Sequence, residues 1–282
     1  MKYNKINIYF IFMEGIVRIP AYFIFIVWFF VPHSHAATIE LQPHRAYYTV
    51  TLTGRPDLRS TVADVRGTMM VEVNKLHNGW TIQQLSEIWR YYDDETIEHI
   101  RWGYVTWEAD DGTLFKFNTF RKKNDELVED IRGVAKKNGK HIEAIYQKPE
   151  KKTLKLPEGV LFPVQHTKAL LKAAQDGDHI FPRIVFDGSN LEGASEINTF
   201  IGAKKVMAGN PANEGGHQFA NQPFWPVRFA VYGLGETDYE PNYITTQDLL
   251  PNGIIKQYII DDGKIKIHGV LDRIELLSGN DA

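Results

Sequence analysis

The sequence predicts a mainly β protein: an antiparallel sheet that curls and is plugged or crossed by one helix. Three observations carry this. Apolar and polar residues alternate with period two in segment after segment. Asn-Gly and Asp-Gly pairs separate those segments. One nine-residue stretch alone has helical composition.

Residues 46–53 read Ala-Tyr-Tyr-Thr-Val-Thr-Leu-Thr. Tyr48, Val50 and Leu52 fall on one face, and Tyr47, Thr49 and Thr51 on the other, as in a half-buried strand. Residues 69–74 repeat the pattern, with Val71 and Val73 inward and Glu72 and Asn74 outward. Phe115 and Phe117 alternate with Lys116 and Asn118, and Ile265 and Ile267 with Lys264, Lys266 and His268. In 97–109 both faces carry large apolar groups: Ile100, Trp102 and Tyr104 on one, Val105 and Trp107 on the other. Such a strand packs on both sides. Asn78-Gly79, Asp111-Gly112, Asn138-Gly139 and Asp262-Gly263 each sit between two such runs, where positive φ is tolerated. This gives a meander over about 45–156 and a second set of strands over about 179–277, with no repeat period that would suggest a propeller.

Between the two sets, Thr167–Gln175 is rich in helix formers, and Asp176-Gly177 supplies a stop. Pro157 and Pro163 mark the approach. The Leu170-Leu171 and Ala173-Ala174 pairs are expected to face the sheet, opposite Thr167, Lys168, Lys172 and Gln175. Residues 206–226 read as a long loop.

The N-terminus directs the chain elsewhere than the cytoplasm. Arg18, the apolar run Pro20–Val31 and the small residues Ser34 and Ala36 match an export signal cleaved between Ala36 and Ala37. The run is shorter than the ~20 residues that span a bilayer. An uncleaved anchoring segment is the other reading. Met13 would give a leader of ordinary length. Cleavage leaves 246 residues, 37–282, expected to form a single β-rich domain. Loss of Lys2, Lys5, Arg18 and Glu14 takes the formal charge from −3 to −5. A mildly acidic chain without basic blocks is a poor nucleic-acid binder.

The chain has no cysteine. This removes thiol catalysis, iron–sulfur clusters, cysteine zinc sites and amino-terminal lipidation, so the mature protein is expected to be soluble. No Gly-x-Ser-x-Gly elbow, phosphate loop or His-Glu-x-x-His motif occurs. His44, His77, His99, His141, His166, His179, His217 and His268 are scattered without ligand spacing and read as surface or capping residues. Asp93-Asp94, Asp110-Asp111, Asp261-Asp262 and Asp187-Gly188-Ser189-Asn190 read as turn chemistry. Arg45 is expected to pair with a surface carboxylate. No catalytic residue, cofactor or metal site is expected.

Pro43-His44-Arg45-Ala46-Tyr47-Tyr48, Gly79-Trp80, residues 111–117 and above all Leu156–His166 resemble the EipB-like cell-envelope integrity family. Phe186–Ser189, Trp225-Pro226-Val227, Pro241-x-Tyr243 and Asn252-Gly253-Ile254 extend the resemblance over about 41–277. It implies a periplasmic protein of Gram-negative bacteria and no enzyme activity. The implied fold is a bent, spiral-like antiparallel sheet or half-barrel wrapped around one principal helix, similar to lipoprotein-carrier folds. The implied role is binding, either of an envelope protein partner or of a lipid or lipoprotein acyl chain in the concave sheet. Trp102, Phe115, Phe117 and Leu170 are the candidate lining of an apolar cavity. A secreted hydrolase with an unrecognised site is the alternative. Family members commonly carry a cysteine before the Gly-Trp turn, bonded to another near the C-terminus. Here His77-Asn78 precedes Gly79-Trp80, so no such bond forms.

Overall fold

The computed structural model describes residues 39–279 except 56, 58, 207–218, 220 and 236–239. The export signal with its cleavage point, and most of the expected 206–226 loop including His217, therefore lie outside the described residues.

Eight strands come first: β1 (His44–Gly54), β2 (Val62–Leu76), β3 (Gly79–Tyr92), β4 (Ile97–Ala109), β5 (Leu114–Lys123), β6 (Glu126–Asn138), β7 (His141–Lys148) and β8 (Lys152–Lys155). Helix α1 (Pro163–Asp176) follows. Then come β9 (Ile180–Val185), β10 (Ser195–Ile201), β11 (Lys205–Val206), β12 (Pro223–Gly233), β13 (Tyr243–Leu249), β14 (Ile255–Asp261) and β15 (Lys266–Leu276). The expected loop thus ends where β12 begins at Pro223, and Trp225 and Pro226 lie in that strand.

The sheet order is β8-β7-β6-β5-β4-β3-β2-β1-β15-β14-β13-β12-β10-β9, with β11 beside β12. All these strand pairs are antiparallel. Strands pair with their sequence neighbours, as short hairpins favour, apart from the join of β1 to β15 and the step from β10 to β12. The first and last strands therefore pair with each other, and among the described residues the sheet order ends at β8 and β9. Helix α1 is inserted at that break. Leu156–Phe162 ties the edges together: Leu156 N–H donates to Ile142 O and Leu161 N–H to Ile184 O, both at 2.9 Å.

The sheet must curl. Strands β3 and β12 are six steps apart, about 29 Å in a flat sheet at ~4.8 Å per strand, while a helix is about 10–12 Å across. Yet α1 touches both. Lys168 Nζ lies 5.0 Å from the Trp80 ring of β3, and the His166 ring centroid is 6.1 Å from that of Phe229 on β12.

Burial follows the period-two pattern. On β1, Tyr48 and Val50 are buried and Thr49 and Thr51 exposed. On β5, Phe115 and Phe117 are buried and Lys116 exposed. The interior has two main packed regions. Helix α1, through Val164, Leu170, Leu171, Ala173 and Ala174, packs with Trp80 and the inward side chains of β12 and β13. Across β5–β7, Phe115, Phe117, Tyr146, Phe162 and Phe186 form an aromatic cluster with centroids 5.0–6.4 Å apart.

Turn chemistry holds at Gly112, Gly139 and Gly263, all with positive φ. Gly79 differs. It is not a positive-φ residue; instead a Cβ there would meet Glu108 O at 2.4 Å. Close approach of β4, not turn geometry, demands glycine at that position. The β5–β6 turn uses Asn124 and Asp125, both at positive φ, without any glycine.

Helix α1 starts four residues before the sequence suggests. Pro163 takes its first position, where no N–H is needed. Phe162 offers no side-chain cap. The cap comes from Glu108 on β4, whose Oε2 and Oε1 accept the N–H groups of Val164 (2.8 Å) and Gln165 (3.0 Å). At the other end, Gly177 at φ 86° closes the helix as expected.

Candidate functional site

Inside the curl, α1 and the sheet leave an apolar groove. It consists of two adjoining cavities of about 190 and 220 Å³. His44, Val71, Val73, Gln247, Gly253 and Ile255 border both. The first reaches α1 through Val164, Thr167 and Leu170. The second runs along β2 to Met69 and ends at Tyr258 and Ile260. From Val73 to Met69 the wall extends about 13 Å at ~3.3 Å per residue.

Local structure shapes this space. Strand β13 has a register irregularity between Gln247 and Leu249 in its pairing with β14. A bulge of this kind shifts the pleat, so Ile255 and Tyr258, three residues apart, both turn inward. Period two alone would put them on opposite faces. At Gly253 (φ 88°) a Cβ would lie 2.8 Å from Leu41 Cδ2. Glycine there lets the segment before β1 close over the groove.

The polar groups in the groove are neutral. His44 is buried, and its Nδ1 lies 2.7 Å from Gln42 O. A carbonyl only accepts, so Nδ1 carries the proton. Burial lowers the His44 pKa below its ordinary 6.5, which keeps the ring uncharged. Tyr48 donates to Ile255 O at 2.8 Å, and Tyr258 OH lies 3.4 Å from Met69 Sδ. Burial raises both phenols. Gln84 Nε2 approaches the same sulfur at 3.0 Å. Among the described residues, neither cavity is bordered by Asp, Glu, Lys or Arg.

Of the four candidate lining residues, Leu170 borders the groove. Phe115 and Phe117 do not; they fill the aromatic cluster. Trp102 is half-buried and stacks on Tyr104 at 5.6 Å and 13°. The lining that sequence reasoning missed, His44 and Gln247 above all, sits on strands far apart in the chain.

The remaining candidates resolve simply. His44 and His166 are buried, contrary to the surface reading. The His166 ring lies 5.8 Å from that of Phe181, and desolvation lowers its pKa to about 4. Asp111 accepts from Thr113, Asp262 from Lys264 and Ile265, and Asp187 from Ser189, all within turns. Arg45 bridges Glu72 (2.6 Å) and Glu275 (3.3 Å). No cluster of metal-binding side chains occurs among the described residues. A larger cleft of about 390 Å³ includes Asp57, Arg59, Asp262 and Lys264. Within it Asp57 holds Arg59, and Asp262 closes its own turn.

Comparison with known proteins agrees with this architecture. The EipB-like family model matches residues 35–278. The chain is 29% identical over 247 residues to the cell envelope integrity protein EipB of Brucella abortus (strain 2308), covering 86% of this chain and 87% of that protein. It is also similar to the crystal structure of a β-barrel-like protein from Brucella abortus, of a domain of unknown function. There the TM-score is 0.78 and the identity 25%, over 85% of this chain and all of the other. The match runs from before β1 to the tail beyond β15 and extends to the fold, so the chain belongs to the EipB-like family.

Proposed function

We propose that the mature chain is a non-enzymatic periplasmic protein that supports envelope integrity by holding a lipid or lipoprotein acyl chain in the groove. The role in the envelope is drawn from the relative's description. Binding rests on one observation. An uncharged, mainly apolar space remains open along β2, α1 and β13. Packed cores rarely leave such voids, and apolar pockets with few polar groups are what small apolar ligands occupy. Each cavity alone is small, and the adjoining pair suits one narrow chain.

A second reading, an envelope protein partner, is favoured by the opposite face. Met70, Leu85, Gly103 and Phe120 lie in cross-strand register on β2–β5, and Leu85 and the neighbouring Val105 are exposed. Exposed apolar stripes mark contact surfaces.

Native mass spectrometry of the protein purified from its own periplasm separates the readings. A co-purifying lipid supports the groove, and a stoichiometric protein supports the outer face. The ligand-free monomer, unable to take up an added acyl probe, would remove the first reading.

A further inference from the structure

We infer that the groove takes the acyl chain of an uncharged lipid ester or amide and rejects the free fatty acid. This rests on the acyl-binding reading above. A chain long enough to fill both cavities brings its polar end against the walls, and those walls carry no cation. Among the described residues, the two cavities are bordered by no Lys or Arg. His44 has its Nδ1 proton committed to Gln42 O and is held neutral by burial. The Tyr48 hydroxyl is spent on Ile255 O, and the Thr167 hydroxyl on Pro163 O. Nor does a buried cation stand behind the wall for an anion to reach through His44, because the ring's bond leads to a backbone carbonyl. A carboxylate placed here would lose its water with no counter-charge, which is far costlier than burying a neutral carbonyl.

The neutral carbonyl does have a partner. Gln247 borders both cavities, and its carboxamide makes no hydrogen bond within the described residues, unlike Gln42, Gln84 and Gln257. An amide presents both a donor and an acceptor. It can donate to an ester carbonyl, and it can pair reciprocally with an amide. It cannot neutralise a carboxylate. The Thr245 hydroxyl, which makes no hydrogen bond among the described residues either, borders the second cavity alone, so Gln247 is the unengaged group that both cavities share.

The test compares two probes that differ in that one group, unlabelled dodecanoic acid and its methyl ester, titrated into the full mature chain at pH 8 and followed by isothermal titration calorimetry. The ester is expected to bind roughly tenfold or more tighter than the acid. Gln247→Arg is expected to reverse the order by supplying the missing cation, and Gln247→Leu to weaken the ester. Equal affinity of the wild-type protein for both probes, or tighter binding of the acid, overturns the inference and leaves acyl binding standing. Binding of neither probe overturns the acyl-binding reading itself. The wild-type comparison decides alone if either variant does not fold.

Discussion

The Glu108 carboxylate on β4 accepts the backbone N–H of Val164 at the start of α1, at 2.8 Å across 56 residues of sequence. The helix thus owes its first turn to a strand. Glu108→Ala would strand two buried N–H groups, at a cost of about 1–3 kcal/mol. Burial outweighs those bonds and the attraction of Lys137, and pushes the carboxyl up to about 7 from 4.5. Between these values the folded protein holds a proton that the unfolded chain has lost. This contribution is therefore fully present below about pH 4.5 and is lost as pH rises through about 7, at most about 3 kcal/mol. His44 and His166 have depressed values and act with the opposite sign, so the informative quantity is a difference. Urea unfolding at pH 5 and pH 8 should show wild type losing stability relative to Glu108→Gln. Parallel pH profiles for the two proteins would refute the assignment.

Leu170 is 2% exposed, while Lys172 is half-exposed and pairs with Asp176 at 2.5 Å. Leu170→Asp buries an unpaired charge and should cost several kcal/mol, enough to abolish folding or export yield. Lys172→Asp loses a surface pair and should cost about 0.5–1 kcal/mol. Thermal melts of both variants check this. Equal stability would mean that α1 is not part of the core.

The C-terminal tail returns to the β2–β3 hairpin. Leu277 N–H donates to Pro43 O at 2.9 Å, and a Cβ on Gly279 would lie 3.4 Å from Lys75 Cβ. That is close to the separation a disulfide needs. Lys75→Cys with Gly279→Cys should form a bond on oxidation and gain about 2 kcal/mol, after the strain of a non-glycine residue at φ 59°. The His77→Cys with Ser278→Cys pair tests the same path. Melting temperatures indifferent to reductant in both pairs would place the tail elsewhere.

Export is tested at the chain's start. Edman sequencing of protein recovered from the periplasm should begin Ala37-Thr38-Ile39-Glu40. Recovery of residues 20–31 in a membrane fraction would show an uncleaved anchor instead.

The strands were legible because a half-buried strand writes its two faces directly into the sequence. Tyr48 with Val50 and Phe115 with Phe117 needed no partner to be placed. The helix was legible from Ala, Leu and Lys over 167–175, but not its first turn. Its cap, Glu108, lies on another element, and no local pattern can report it. The groove was the least legible part. Leu170 could be assigned from helical spacing, whereas Phe115 and Phe117 look the same in sequence whether they line a cavity or fill one. Here Phe162 and Phe186 close over them.

What the sequence determined by itself is therefore the antiparallel strand character, the inward faces of strands such as β1 and β5, helix α1 and the absence of thiol chemistry. These are short-range properties of composition and period. Only the tertiary structure decided where space remains. That depends on β1 meeting β15, on the irregularity at Gln247, and on a helix seated by a distant carboxylate. Each is a long-range geometric relation between segments that share no local signal.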